Sequence, residues 1–267
     1  MKNTTILLVC LSLSGCFPLY YAPNTQNIPV MKEKGQTNLS IGINATEYTN
    51  GFELQGAYGL TDKIALQLNA DWVNSADDME YNSSGKGNII EFGGGYYKKI
   101  SKSFVFETYG LIAFGKTQYE QTSEGTGEYA YVKTHFTRFG AQPSISFSSK
   151  YFNASLSTRL ANVNYNNISG NYPFYSAENT YTYITEADYL KDNNSQWVAE
   201  PAITLQGGLE KVKLQLQYTL SYNLGDQYFY ENYQEWDMIS LGLKVEFPTK
   251  KNVAKLDETN SEQNNNP

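Results

Sequence analysis

KLQLQYTLSYNL, residues 213–224, decides how the chain is read. Leu214, Leu216, Tyr218, Leu220, Tyr222 and Leu224 fall on one side of an extended strand, and Lys213, Gln215, Gln217, Thr219, Ser221 and Asn223 on the other. Side chains alternate with a period of two in a strand, so this segment has one apolar and one polar face. IALQLNADW (64–72) repeats the pattern, with Ile64, Leu66, Leu68, Ala70 and Trp72 opposing Ala65, Gln67, Asn69 and Asp71. ISLGLKVEF (239–247) repeats it again, with Ile239, Leu241, Leu243, Val245 and Phe247 opposing Ser240, Gly242, Lys244 and Glu246.

Working outward, the pattern predicts ten strands at about 37–46, 52–61, 63–73, 87–98, 103–115, 130–148, 151–162, 196–208, 211–223 and 235–247. The links between them alternate. Those at 61–62, 100–102, 149–150 and 209–210 are tight, whereas 74–86, 116–129, 163–195 and 224–234 are long and polar, with 47–51 the short member of that set. Short turns at one end and long loops at the other is the plan of an up-and-down outer-membrane barrel. Lipid offers no hydrogen-bond partner to a strand edge, so a membrane sheet must close. A tilted strand of about 9–11 residues crosses the hydrocarbon layer. Aromatic residues near strand ends (Trp72, Tyr96, Phe104, Phe114, Tyr151, Phe152, Trp197, Tyr222 and Phe247) suit the two interfacial belts. A soluble β-barrel or sandwich would also alternate, but does not account for the placing of these rings. The expected fold is therefore all-β: a ten-stranded antiparallel up-and-down transmembrane β-barrel over 37–247. Mean hydropathy of −0.49 conceals it, because half of every strand is polar.

The N-terminus adds a second membrane signal. Lys2 followed by the short apolar run 6–13 reads as a secretory leader, too short for the roughly 20 residues of a spanning helix. Leu13-Ser14-Gly15-Cys16 resembles the lipobox of bacterial lipoproteins. That resemblance implies a signal peptide at 1–15 and a lipid on Cys16. Of the two cysteines, Cys10 would leave with the leader and Cys16 would become a thioether, so no thiol remains for a disulfide, a metal or catalysis. Phe17 and Pro18 follow Cys16, where an inner-membrane retention signal would place Asp. The anchor is thus expected in the periplasmic leaflet of the outer membrane. An even strand number puts N- and C-termini on that same periplasmic side. Residues 16–36, with three prolines and no alternation, are expected as a lipidated periplasmic segment beneath the barrel, and 248–267 as a disordered periplasmic tail. The net charge of −7 excludes a phosphate-binding basic surface, so no nucleic-acid partner is expected.

Projecting the polar faces inward places Glu53, Asp71, Glu91, Glu107 and Glu200 in the lumen with Arg138, Arg159 and Lys244. Opposite charges in a confined space favour a paired plug over an ion path, because an unpaired charge there is costly. An open narrow pore is the competing reading. Asp77-Asp78 and the lone histidine, His135, invite comparison with ten-stranded outer-membrane proteases or a membrane-embedded lipid hydrolase, but that motif context is missing and no serine stands near His135. No metal-ligand spacing is visible. The longest loop carries Tyr165, Tyr172, Phe174, Tyr175, Tyr181, Tyr183 and Tyr189. Tyrosines supply amphipathic contact area at low entropic cost, so they form a candidate outer contact surface for a sugar or a partner protein. A self-packed lid over the barrel mouth is the alternative.

The mature chain as a whole resembles small outer-membrane β-barrel lipoproteins of Gram-negative bacteria. This implies a non-enzymatic accessory or structural subunit of a larger assembly, such as barrel-assembly or uptake machinery. Its implied partners are outer-membrane lipids and other outer-membrane proteins, with no cofactor beyond the covalent lipid.

Overall fold

The computed structural model describes residues 18–75, 82–123, 127–175, 181–247 and 249, without the side chains of 175 and 181–183. The leader, Cys16, Asp77-Asp78 and the tail apart from Thr249 lie outside the described residues. Ten antiparallel staves close a barrel: β1 (Thr37–Ala45), β2 (Thr49–Gly59), β3 (Ile64–Ser75), β4 (Ser83–Lys99), β5 (Phe104–Thr122), β6 (Tyr129–Ser148), β7 (Phe152–Gly170), β10 (Ser195–Gly208), β11 (Val212–Leu220) and β13 (Asp237–Phe247). Inserted among them are the hairpin β8 (Pro173–Tyr175) and β9 (Tyr181–Thr185), helix α1 (Glu186–Asp192), the short continuation β12 (Tyr222–Asn223) and helix α2 (Gln227–Tyr233). β1 pairs with β2 on one side and β13 on the other, Thr37 opposite Phe247 and Ala45 opposite Ile239. That register leaves no free edge, as lipid requires.

The period-two faces sort as expected. Leu39, Ile41, Leu54, Leu68, Phe92, Leu156, Leu216 and Leu241 stand exposed on the outer wall. Their inward neighbours, including Gln55, Gln67, Glu91, Gln217 and Ser240, are buried. Aromatics bound this apolar band on both sides. All three tryptophans, Trp72, Trp197 and Trp236, project outward at the end that carries the long loops. Phe104 and Phe147, in edge-to-face contact at 5.7 Å, stand with Phe152 and Phe247 at the short-turn end. The band and its two girdles give the barrel its membrane position, with the long loops at one end and the short turns at the other.

Three features differ from the sequence reading. First, β5 and β7 run seven and eight residues past the expected ends at 115 and 162, and β4 starts at Ser83, four residues before the expected 87. β5 and β7 each have 19 residues. Above the membrane both sheet faces are wet, so KTQYEQT (116–122) continues the ladder without apolar alternation. Second, loops 163–195 and 224–234 contain helices. Thr185 and Asp188 form a reciprocal capping box at α1, and Asp226 caps α2 by accepting from the Phe229 N–H. Third, residues 18–34 do not lie beneath the barrel. They run through its lumen from the outer mouth to the short-turn end, and leave past Gly59, where a Cβ would stand 2.5 Å from the Glu33 carbonyl. Pro18, Pro23 and Pro29 lack N–H groups, so this segment leaves fewer buried donors to satisfy.

A lipid-facing outer wall makes a specific prediction. Leu68→Arg, at the middle of β3, is expected to cost about 2–4 kcal/mol in reversible unfolding from bilayers, and Leu60→Arg at the short turn about 0–1 kcal/mol. Equal, small effects at both positions would contradict a membrane-embedded band.

Candidate functional site

The lumen is organised by two arginines. Arg138 on β6 and Arg159 on β7 are fully buried, as are Glu91 on β4 and Glu200 on β10. Parity delivers all four inward, and the register sets Glu200 directly opposite Arg159. Arg138 Nη2 lies 2.6 Å from Glu91 Oε2, Arg159 Nε 2.5 Å from Glu200 Oε2, and Arg159 Nη1 3.6 Å from Glu91 Oε1. Two cations and two anions thus neutralise one another where water is excluded, which is what makes such a cluster tolerable.

The threaded segment completes this network. Tyr21 accepts from Arg138 Nη1 (3.0 Å) and donates to Glu200 Oε1 (2.7 Å), bridging the two ion pairs. Asn24 offers its side-chain oxygen to Arg138 (2.8 Å) and its carbonyl to Arg159 (2.9 Å). Further down, the Gln217 side chain accepts from the Gln26 N–H (2.7 Å) and donates to the Gln26 carbonyl (2.9 Å), imitating a strand neighbour. Asn27 donates to Asn69, which donates to Glu91.

The other four predicted lumen charges do different work. Glu107 accepts the consecutive N–H groups of Val30 and Met31, each at 3.0 Å, and the Tyr109 hydroxyl at 3.1 Å. Val30 has φ of 57°, a left-handed conformation that a β-branched residue rarely adopts, so this grip holds a strained bend. Lys244 donates to the Ile28 carbonyl (3.2 Å), the Pro29 carbonyl (2.8 Å) and the Gln206 side chain (3.2 Å). Glu53 and Asp71 share the Asn44 amide, at 3.3 and 3.0 Å. The expectation of a plug made from side-chain ion pairs is therefore corrected. Half of these residues bind one another, and the body of the plug is the chain's own backbone.

Four of the seven rings named for the tyrosine-rich loop are described. Tyr165 and Phe174 are buried, and Tyr172 and Tyr189 half-buried, in a lid cluster rather than on an open contact surface. Phe174 stacks on Tyr189 at 4.9 Å, Tyr172 meets Tyr119 edge-on at 5.3 Å, and Tyr165 contacts Phe136 at 6.0 Å and Phe229 at 5.9 Å. Rings above a barrel mouth lose water only by packing on one another, which turns them inward. The side chains of Tyr175, Tyr181 and Tyr183 lie outside the described residues. Beneath the lid, Glu186 of α1 accepts from the hydroxyls of Tyr233 (2.8 Å) and Tyr20 (3.2 Å). Burial pushes its carboxyl up to about 7, against the pull of those two donors. Glu235, which accepts from Thr46 and the Tyr48 N–H, is pushed by burial to about 7 as well. Sequence reasoning missed Tyr20, Tyr21, Asn24 and Glu186, which lie in segments without periodicity, and Glu235 at the first residue of the expected last strand.

His135 projects outward on β6 opposite Lys116 and makes no bond to a carboxylate among the described residues, and no group of three or more metal-ligating side chains occurs there.

No protein-family model and no curated protein matches the chain. Solved structures do match in fold. A NanC porin is 11% identical, over 78% of this chain and 98% of its own, with a TM-score of 0.40. The translocator domain of the autotransporter NalP from Neisseria meningitidis is 11% identical, over 80% and 87%, with a TM-score of 0.45. A major outer membrane protein from Thermus thermophilus is 13% identical, over 79% and 99%, with a TM-score of 0.39.

Two measurements check the site. Arg159→Ala is expected to cost about 3–5 kcal/mol in unfolding, because it leaves Glu200 buried without its cation. Lid closure is expected to weaken with rising pH. Glu186 and Glu235 bind protons more tightly in the closed state, so their contribution is whole below the ordinary carboxyl value of 4.5 and fades up to about 7. Hydrogen exchange over 186–192 and 227–235 should accelerate across that window, and Glu186→Gln should flatten the response at α1.

Proposed function

We propose that the protein is a lipid-anchored outer-membrane barrel that neither conducts nor catalyses, and that it serves as an accessory subunit of a larger outer-membrane assembly. The observation that carries this reading is the occupied lumen. From Tyr20 to Met31, nearly every residue is buried within the wall, and its backbone groups are claimed by side chains from opposite staves. An ion path would need continuous water along that axis, and the segment stands in its place.

Several features support a non-catalytic role. Arg138, Arg159, Glu91 and Glu200 are engaged with one another, and Glu107 and Lys244 with the backbone of the threaded segment. His135 stands exposed on the outer wall, and among the described residues it makes no bond to a carboxylate. A barrel sealed in this way acts through its surfaces: the loop cap outside, the lipid-facing wall, and the short turns facing the periplasm. Outer-membrane lipids and neighbouring outer-membrane proteins are the partners those surfaces meet.

Planar-bilayer recording tests the sealed lumen. The intact protein should give no single-channel steps, and a variant lacking 18–34 that still folds should give them. Steps from the intact protein would overturn the reading in favour of a narrow pore. Mild detergent extraction tests the accessory role, which fails if the protein emerges only as a free monomer.

A further inference from the structure

The direction of the threaded segment has a consequence for the lipid. Tyr20 and Tyr21 both donate their backbone N–H to the Tyr233 carbonyl, at 3.0 and 3.1 Å, and Tyr21 bridges in parallel to Gln234. The Tyr165 hydroxyl donates to the Tyr20 carbonyl at 3.1 Å. Tyr165, Glu186 and Tyr233 all belong to the long-loop end. Leu19 lines a small cavity with Thr49, Ser75, Gly85 and Tyr119, at or beyond the height of the Trp72 girdle. From there the chain descends through Gln26 and Val30 to Gly35, whose N–H donates to the Gly59 carbonyl at the short-turn end. Pro18 is therefore at the outer mouth, although β1 starts at the periplasmic end.

We propose that the N-terminus is carried through the lumen to the cell surface, so that the lipid on Cys16 enters the outer leaflet beside the barrel mouth. This rests on the lipoprotein reading of Cys16. Only Phe17 separates Cys16 from Pro18, and two residue steps reach at most about 7 Å. The apolar band of such a barrel is about 25 Å tall, so an acyl chain fixed at that point cannot anchor in the periplasmic leaflet. The barrel would then carry its own lipid-modified end across the membrane. Its walls must close around the segment during assembly, since a lipidated end could not be drawn through the finished lumen. The buried Arg138 and Arg159 supply the reason for closing around it, because their remaining partners, Tyr21 and Asn24, lie on the threaded chain.

The test places a short epitope between Phe17 and Pro18 in the full-length protein and compares antibody binding on intact and permeabilised cells. Heat-modifiable gel mobility confirms that the barrel has closed. Equal binding in both preparations is expected, with an epitope after Pro267 read only after permeabilisation. A less invasive version uses Phe17→Cys, the sole free thiol of the mature chain, with a membrane-impermeant maleimide. Binding or labelling that requires permeabilisation would overturn the threaded orientation. Incorporation of labelled palmitate, lost in Cys16→Ala, is read separately. Surface binding without palmitate incorporation would remove the lipid from the proposal and leave the threading intact, so the two failures are distinguishable.

Discussion

Arg138 and Arg159 lie buried inside a barrel whose outer wall faces lipid, and the arrangement of the lumen follows from keeping those two charges compensated. Their energetic demand is high, because a guanidinium removed from water loses hydration that only direct partners can replace. Glu91 and Glu200 supply the countercharges, yet two carboxylates cannot reach all the donors of two planar forks. Tyr21 and Asn24 take three further contacts, and Arg138 Nε and Arg159 Nη1 keep no hydrogen-bond partner among the described residues. The ion cluster is thus incomplete without the threaded segment, and the segment is held in register by the cluster. Each costs the other when separated: a bare barrel would leave donors unpaired, and a free segment would keep its conformational entropy.

The rest of the interior extends the same logic toward each end. Below the arginines, Glu107 and Lys244 approach the segment from opposite walls. The anion takes N–H groups and the cation takes carbonyls, so both kinds of backbone group are satisfied at one bend. Above them the segment leaves the side-chain network and becomes a neighbour to 233–235, bonded as a strand would be. Small inward residues on adjacent staves, Ser144, Ser146 and Ser148 on β6 with Ser155 and Ser157 on β7, leave the volume that this passage needs. Large side chains there would have filled a ten-stranded lumen by themselves.

The barrel was legible in the sequence because lipid enforces a strict rule. An outward residue in the apolar band must be apolar, and its neighbours must point inward, so parity alone placed Glu91, Arg138, Arg159 and Glu200 in the lumen. Where that rule stops, legibility stops. Strands β5 and β7 outrun their expected ends, and β4 its expected start, because the ladder persists after lipid no longer sorts the side chains. The loop tyrosines gave no direction, since irregular backbone has no parity, and Tyr165 and Phe174 turned inward. Residues 18–34 carried no periodic signal at all. Two features could have revealed their place: three prolines within 18–31, which carries no charged residue, and the serines of β6 and β7, too small to fill the space they face.

The outer lid depends on the lumen more than on its own loops. Glu186 is buried because Tyr20 and Tyr233 cover it, and Tyr20 is present only because the chain beneath it is threaded. Glu235 likewise sits next to the residue that pairs with Tyr21 and reaches across to Thr46 and Tyr48 at the β1–β2 connection. Each carboxyl is kept near neutrality by burial, and each touches a residue of the mouth that the N-terminal segment helps to close. Loosening of the segment at its outer end would hydrate both carboxyls and favour their ionised forms, which in turn would oppose re-closure. The arginine pair, the threaded chain and the lid therefore form one vertical column of contacts, in which the deepest charges set the stability of the outermost surface.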